Sequence, residues 1–178
     1  MNDRTSERIA KIEAVRRQLR TAIRMFFEDG DSVSIHTLTA AGHELLRGLL
    51  KLKGEGSFMK DSDVVRPDFR KEWVAAINRA QNFFKHADRD VDEVLEFNPE
   101  ITTFLLFDCA LMYHKLTGRF LRELWIFTGW VALIYPRFFK DGSVFDAVEE
   151  LARETGGVPD KKLFLLFVKR TDLLASMD

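Results

Sequence analysis

The segment RAQNFFKH, residues 79–86, brings together the side chains best suited to chemistry in this chain. Arg79, Asn82 and His86 are spaced by three and then four residues, which on a helix puts them in one row. Each helical residue turns the chain by about 100°. With the direction of Trp73 set to zero, Ile77, Ala80 and Phe84 fall within about 40° of it. Asn82, His86 and Arg79 fall at about 180°, 220° and 240°, away from that apolar stripe. An imidazole can exchange a proton near neutral pH. Such a row suits acid–base work.

A second row has the same geometry. His36, Ala40, His43 and Arg47 are spaced by four, three and four residues, opposite a stripe of Leu38, Leu45 and Leu49. If the two rows face each other, or a partner subunit, they line a polar cleft. If they face water, they are the solvated faces of two core helices.

The pattern of Arg79, six residues and His86 resembles the motif of the HEPN superfamily, an Arg followed by four to six residues and a His. The resemblance implies an all-α bundle of four or five helices that dimerises with the motif facing an intersubunit cleft. Many HEPN-like domains are metal-independent endoribonucleases of toxin–antitoxin or anti-phage systems, and others are inactive or bind nucleotides. The resemblance makes His86 the general acid/base and Arg79 the stabiliser of phosphorane charge during attack of an RNA 2′-OH on the adjacent phosphate. HEPN motifs often carry a polar residue directly after the Arg; Ala80 stands there in this chain, and Asn82 takes the polar place. The motif covers eight residues, and the helical organisation extends over residues 5–135. The strings SIHTL and NFFKHADRD are also similar to those of an uncharacterised bacterial family, with no activity attached. The alternative of another class is a non-catalytic helical interaction protein.

The elements that must position these rows are helices. Hydrophobic residues make up 46% of the 178, charged residues 31%, and only 4 Pro and 10 Gly interrupt them, which favours one domain of few, long elements. Ile9, Ile12, Val15, Leu19, Ile23 and Phe26 predict a first helix over about 5–28. A second runs from about 33 to 53, and the segment 54–67 is the longest loop, with room for one helical turn. The third starts at Pro67 and reaches about Ala87. Asn98 caps a fourth, over 99–117, that is apolar nearly all round and is expected to be central. A fifth covers 119–135, a shorter one 143–154 and a last one 160–175. The expected fold is an all-α bundle of four to five long antiparallel helices plus shorter C-terminal helices.

Other chemistries find little support. A net charge of −1 gives no global field for nucleic acid, so an RNA role needs a local patch. The row Arg16, Arg20, Arg24 is expected to pair with acidic neighbours on a solvated flank. His36, His43, Glu44, His86, Asp88 and His114 are metal-ligand types, but no Glu-x-x-His or HExxH spacing joins them, and no cofactor is expected. There is no GxSxG, and the GEG of 54–56 reads as a helix stop. The acidic stretch 88–96 is expected to be a solvated loop. Cys109, the single cysteine, sits in the apolar run FLLFDCALMY and reads as a buried thiol. His114 is expected to be a hydrogen-bonded core histidine. Asp108 is expected to need a partner, such as an Arg of another helix. The N-terminal stretch has no apolar run of the secretory kind and LWIFTGWVALIYP is too short to span a bilayer, so a cytoplasmic location is expected. Surplus apolar surface on the fifth helix favours a homodimer.

Overall fold

A computed structural model describes residues 6–86, 88, 91–139, 150, 153, 156 and 160–175. The long helices are α1 (Lys11–Phe27), α2 (Ser32–Lys51), α4 (Pro67–Lys85), α5 (Glu100–Thr117) and α6 (Arg122–Ile134). A single turn, α3 (Phe58–Asp61), lies in the α2–α4 connection, a 3₁₀ turn (Pro136–Phe138) follows α6, and α7 (Lys161–Ala175) closes the chain. Among the described residues there are no strands. The fold is an all-α helical bundle.

The α1–α2 hairpin turns through Glu28–Asp31. Asp31 caps α2 by accepting from the Ser34 amide at 2.7 Å. The core is built from Val15, Leu19, Ile23 and Phe27 of α1, Leu46 and Leu50 of α2, Leu106 and Met112 of α5, and Leu124, Phe127 and Val131 of α6. α7 adds Phe164, whose ring stacks on Phe27 at 5.7 Å.

Four expectations change. The first helix begins at Lys11, not near residue 5, because Ala10 is extended and offers no side-chain cap. The α2 stripe is displaced: Ile35, Leu46 and Leu50 are buried, whereas Leu38, Leu45 and Leu49 are half-buried and Leu52 is exposed. α2, rather than α5 alone, is central, since it packs against α1, α5 and α4. Trp73, placed in the core by periodicity, is exposed, with its indole N–H donating to the Met59 carbonyl at 2.7 Å. The helix expected over 143–154 lies outside the described residues apart from Glu150 and Arg153, both helical.

Candidate functional site

The first row stays together and faces water. Arg79, Asn82 and His86 line one open recess of about 450 Å³ with Ala75, Ala76, Phe83 and Glu93. All three are exposed. α4 buries its other side through Ile77, Ala80 and Gln81, and Phe84 packs edge-on to His36 at 5.8 Å. The helix ends at Lys85, so His86 is its C-cap in extended backbone, tied back by its amide to the Asn82 carbonyl at 3.1 Å. The Arg79 guanidinium lies 3.3 Å from a Glu93 carboxylate oxygen. At that exposure the pair is a weak tether, so Arg79 can exchange Glu93 for another anion.

The second row does not join the first. His36 and His43 are fully buried and Arg47 is largely buried. Among the described residues the two rows therefore line no common cleft, and the α2 row is not a solvated face either. The reason is the double-sided packing of α2, which places this face against α5 and α4, with side-chain bonds to α3, rather than in solvent.

His36 Nδ1 meets the Thr102 hydroxyl at 2.9 Å, while Phe84 and Phe97 wall the ring. Burial, reinforced by the charge of Lys60, pushes its pKa down to about 4, so the imidazole is neutral. Its Nε2 is buried without a partner.

His43 belongs to a larger polar network. Its Nε2 lies 2.8 Å from Asp108 Oδ2. A carboxylate only accepts, so this nitrogen carries the proton. The same oxygen accepts from the Ser57 hydroxyl at 2.5 Å, and the Phe58 amide donates to Oδ1 at 3.0 Å. Burial works against the charge of Asp108, but the His43 and Ser57 hydrogen bonds outweigh it and keep the carboxyl below its ordinary range. Lys60, also buried, donates to Glu44 at 2.5 Å. His43 and then Lys60 hold the Glu44 carboxyl well below its usual range despite burial. Arg47 grips Asp61 with two bonds of 2.7 Å and lowers that carboxyl to about 2.

Ser, His and Asp are the residue types of a hydrolytic triad, but this order is not one. The Ser57 hydroxyl donates to the carboxylate and stands 3.4 Å from the imidazole, and all three side chains are sealed from water. A triad needs the imidazole between the other two and an exposed nucleophile. The network is a clamp: Asp108 of α5 takes up the free N-terminal amides of α3, and α2 holds the same turn through Glu44 and Arg47. Ser57, Lys60, Glu44 and Asp61 were not legible as a group. The one signal was Asp108 on an apolar helix; its partner is His43 rather than an arginine.

His114 is exposed, not a core histidine, and stacks on Phe120 with ring centres 4.1 Å apart. Cys109 is fully buried, and burial raises its thiol well above the ordinary range. Arg16 pairs with Glu13 and Arg20 with the buried Glu123 of α6. Among the described residues no group of three His, Cys, Asp or Glu could hold a metal ion, and no helix is long and apolar enough to cross a membrane. No protein-family model, curated protein or solved structure matches the chain.

Proposed function

We propose that the chain is a HEPN-like helical domain acting on RNA, with the Arg79, Asn82 and His86 recess as its site. One observation carries this: the three motif residues share a solvent-open recess on the face of α4 away from the core. In the proposed reaction a neutral His86 takes the proton of an RNA 2′-OH. The 2′-oxygen bonds to the adjacent phosphorus, the P–O5′ bond breaks, and the leaving oxygen takes a proton. The products are a 2′,3′-cyclic phosphate and a 5′-OH. Arg79 leaves Glu93 and sits against the charged phosphorane, while Asn82 orients the phosphate. No metal is needed. His43 and Arg47 belong to the clamp, His36 is sealed against Thr102, Phe84 and Phe97, and the proposed reaction uses none of the three. A homodimer would bring a second His86 to serve as the acid.

The test is incubation of end-labelled RNA in EDTA with wild type and His86→Ala. Cleavage by the wild type alone, leaving 2′,3′-cyclic ends, supports the reading. Absence of cleavage on structured and unstructured RNA, with the fold intact, overturns it.

A second reading is a non-catalytic interaction protein. It is favoured by Glu93 beside Arg79, an acidic neighbour that repels phosphate. Retention of the fold with no cleavage in either protein is its expected outcome.

A further inference from the structure

We propose that the α5–α6 junction is a binding surface for single-stranded nucleic acid, built from an aromatic stack and flanking cations. α5 ends at Gly118, whose φ of 70° sets the left-handed turn that lets the chain fold back before Arg122. The turn places the Phe120 ring parallel to His114, 5° from coplanar, with centres 4.1 Å apart. Trp125 follows at 5.3 Å from Phe120. Phe120 is half-buried between the two, and His114 is exposed. Trp125 remains 45% exposed. The core side of α6 is made by Leu124, Phe127, Trp130 and Val131, so the Trp125 indole has no comparable place in the core. The His114–Phe120 pair closes the turn, but closure needs neither an indole in water nor the charges around it.

Those charges are Lys115, Arg119 and Arg122, all exposed. The Lys115 ammonium pairs with Glu55. Neither Arg119 nor Arg122 has a carboxylate within ion-pair distance among the described residues. The nearest acid in sequence, Glu123, is turned inward onto Arg20 at 2.5 Å with 8% of its side chain exposed. An adjoining recess of about 520 Å³ is lined by His114 and Lys115 and also by Glu55 and Asp61, so the cationic surface is the Arg119 and Arg122 side of the junction. Exposed cations at the same junction as two exposed aromatic side chains, His114 and Trp125, match a flexible polyanion carrying π faces: phosphates meet the arginines, and bases stack on the rings. An acidic protein segment would satisfy the cations and leave the rings unused. The inference stands on these residues and does not require cleavage at His86.

The experiment is fluorescence anisotropy of the purified full chain with labelled oligo-uridine and oligo-thymidine of about twelve nucleotides, in EDTA. Salt is varied from about 50 to about 200 mM. Binding of either strand that weakens with salt is expected. Trp125→Ala should weaken it at least about fivefold, the loss of one stacked base. The pair Arg119→Glu and Arg122→Glu should weaken it and flatten the salt dependence. Circular dichroism melts check each variant, and the arginine pair, being exposed, keeps the test open if Trp125→Ala unfolds. Binding of oligo-uridine alone assigns the surface to RNA, and equal binding of both assigns it to any single strand. Three results overturn the proposal: no binding by wild type, wild-type affinity in both variants, or equal displacement by polyglutamate of the same length. Cleavage products are scored separately, so an inert but binding protein supports this surface while removing the nuclease reading.

Discussion

His43 Nε2 and Asp108 Oδ2 are 2.8 Å apart and both side chains are sealed from water. The carboxylate is also the anchor for Ser57 and the first amides of α3. Asp108→Asn keeps the shape but presents an amide N–H₂ to a cluster of donors. It is expected to cost about 3–5 kcal/mol, the range for breaking a buried pair. A urea titration reads the loss. Amide exchange should quicken first over residues 57–61. Uniform exchange across the bundle would mean that Asp108 does not act through α3.

Acid sensitivity should appear in two windows. His36 is held at about 4 in the fold by burial and by Lys60, whereas the unfolded side chain titrates near 6.5. Between those values the unfolded chain binds the extra proton, so stability falls as pH drops from about 6.5 to about 4. Asp108, Glu44 and Asp61 are all depressed in the fold. Their contribution is present above the unfolded carboxyl range and is lost at lower pH, for Asp61 down to about 2. Thermal melts across pH 4–7 should show the upper slope in wild type. His36→Phe should remove that slope and leave the acid limb below about pH 4. An unchanged slope in the variant would exclude His36 as its source.

How much was legible in the sequence follows from the range of each interaction. The helices came from local periodicity, and Pro67 marked the start of α4 through its fixed φ. The α4 row was readable because one helix fixes Arg79 and Asn82, and its last turn fixes His86. The α2 row was misplaced for a different reason. Periodicity locates a polar face but not what packs on it, and His36 and His43 face α5 and the 54–62 connection, which only the tertiary fold brings together. Trp73 failed likewise: its indole N–H found the Met59 carbonyl at the surface.

Substitutions in the α4 row should separate chemistry from folding. Arg79, Asn82 and His86 are exposed, and an exposed pair such as Arg79–Glu93 contributes about 0–1 kcal/mol. Each alanine variant should therefore melt within about 0.5 kcal/mol of wild type. If the proposed reaction occurs, His86→Ala lowers its rate at least about 10²-fold, the usual contribution of a general acid–base group. A large loss of stability in Asn82→Ala would instead make this row part of the scaffold.

Gly42 of α2 packs closely against Leu19 of α1. A Cβ built there would lie 3.1 Å from Cδ2 of the fully buried Leu19. In Gly42→Ala the helix gain of about 1 kcal/mol is opposed by a contact that the flexible end of Leu19 can relieve, so the net change should be small. Gly42→Leu has no such escape and should cost about 1–3 kcal/mol or more by overpacking. Leu19→Ala alone should cost about 2–5 kcal/mol through the cavity it leaves. If the helices are spaced by this one contact, the two changes interact: Gly42→Leu fills part of the space that Leu19→Ala opens. The double variant should then be more stable than the sum of the two losses by at least about 0.5 kcal/mol. Strict additivity in urea titrations would show that the helix spacing is fixed elsewhere, by the turn at Glu28–Asp31 or by α5 on the far side of α2.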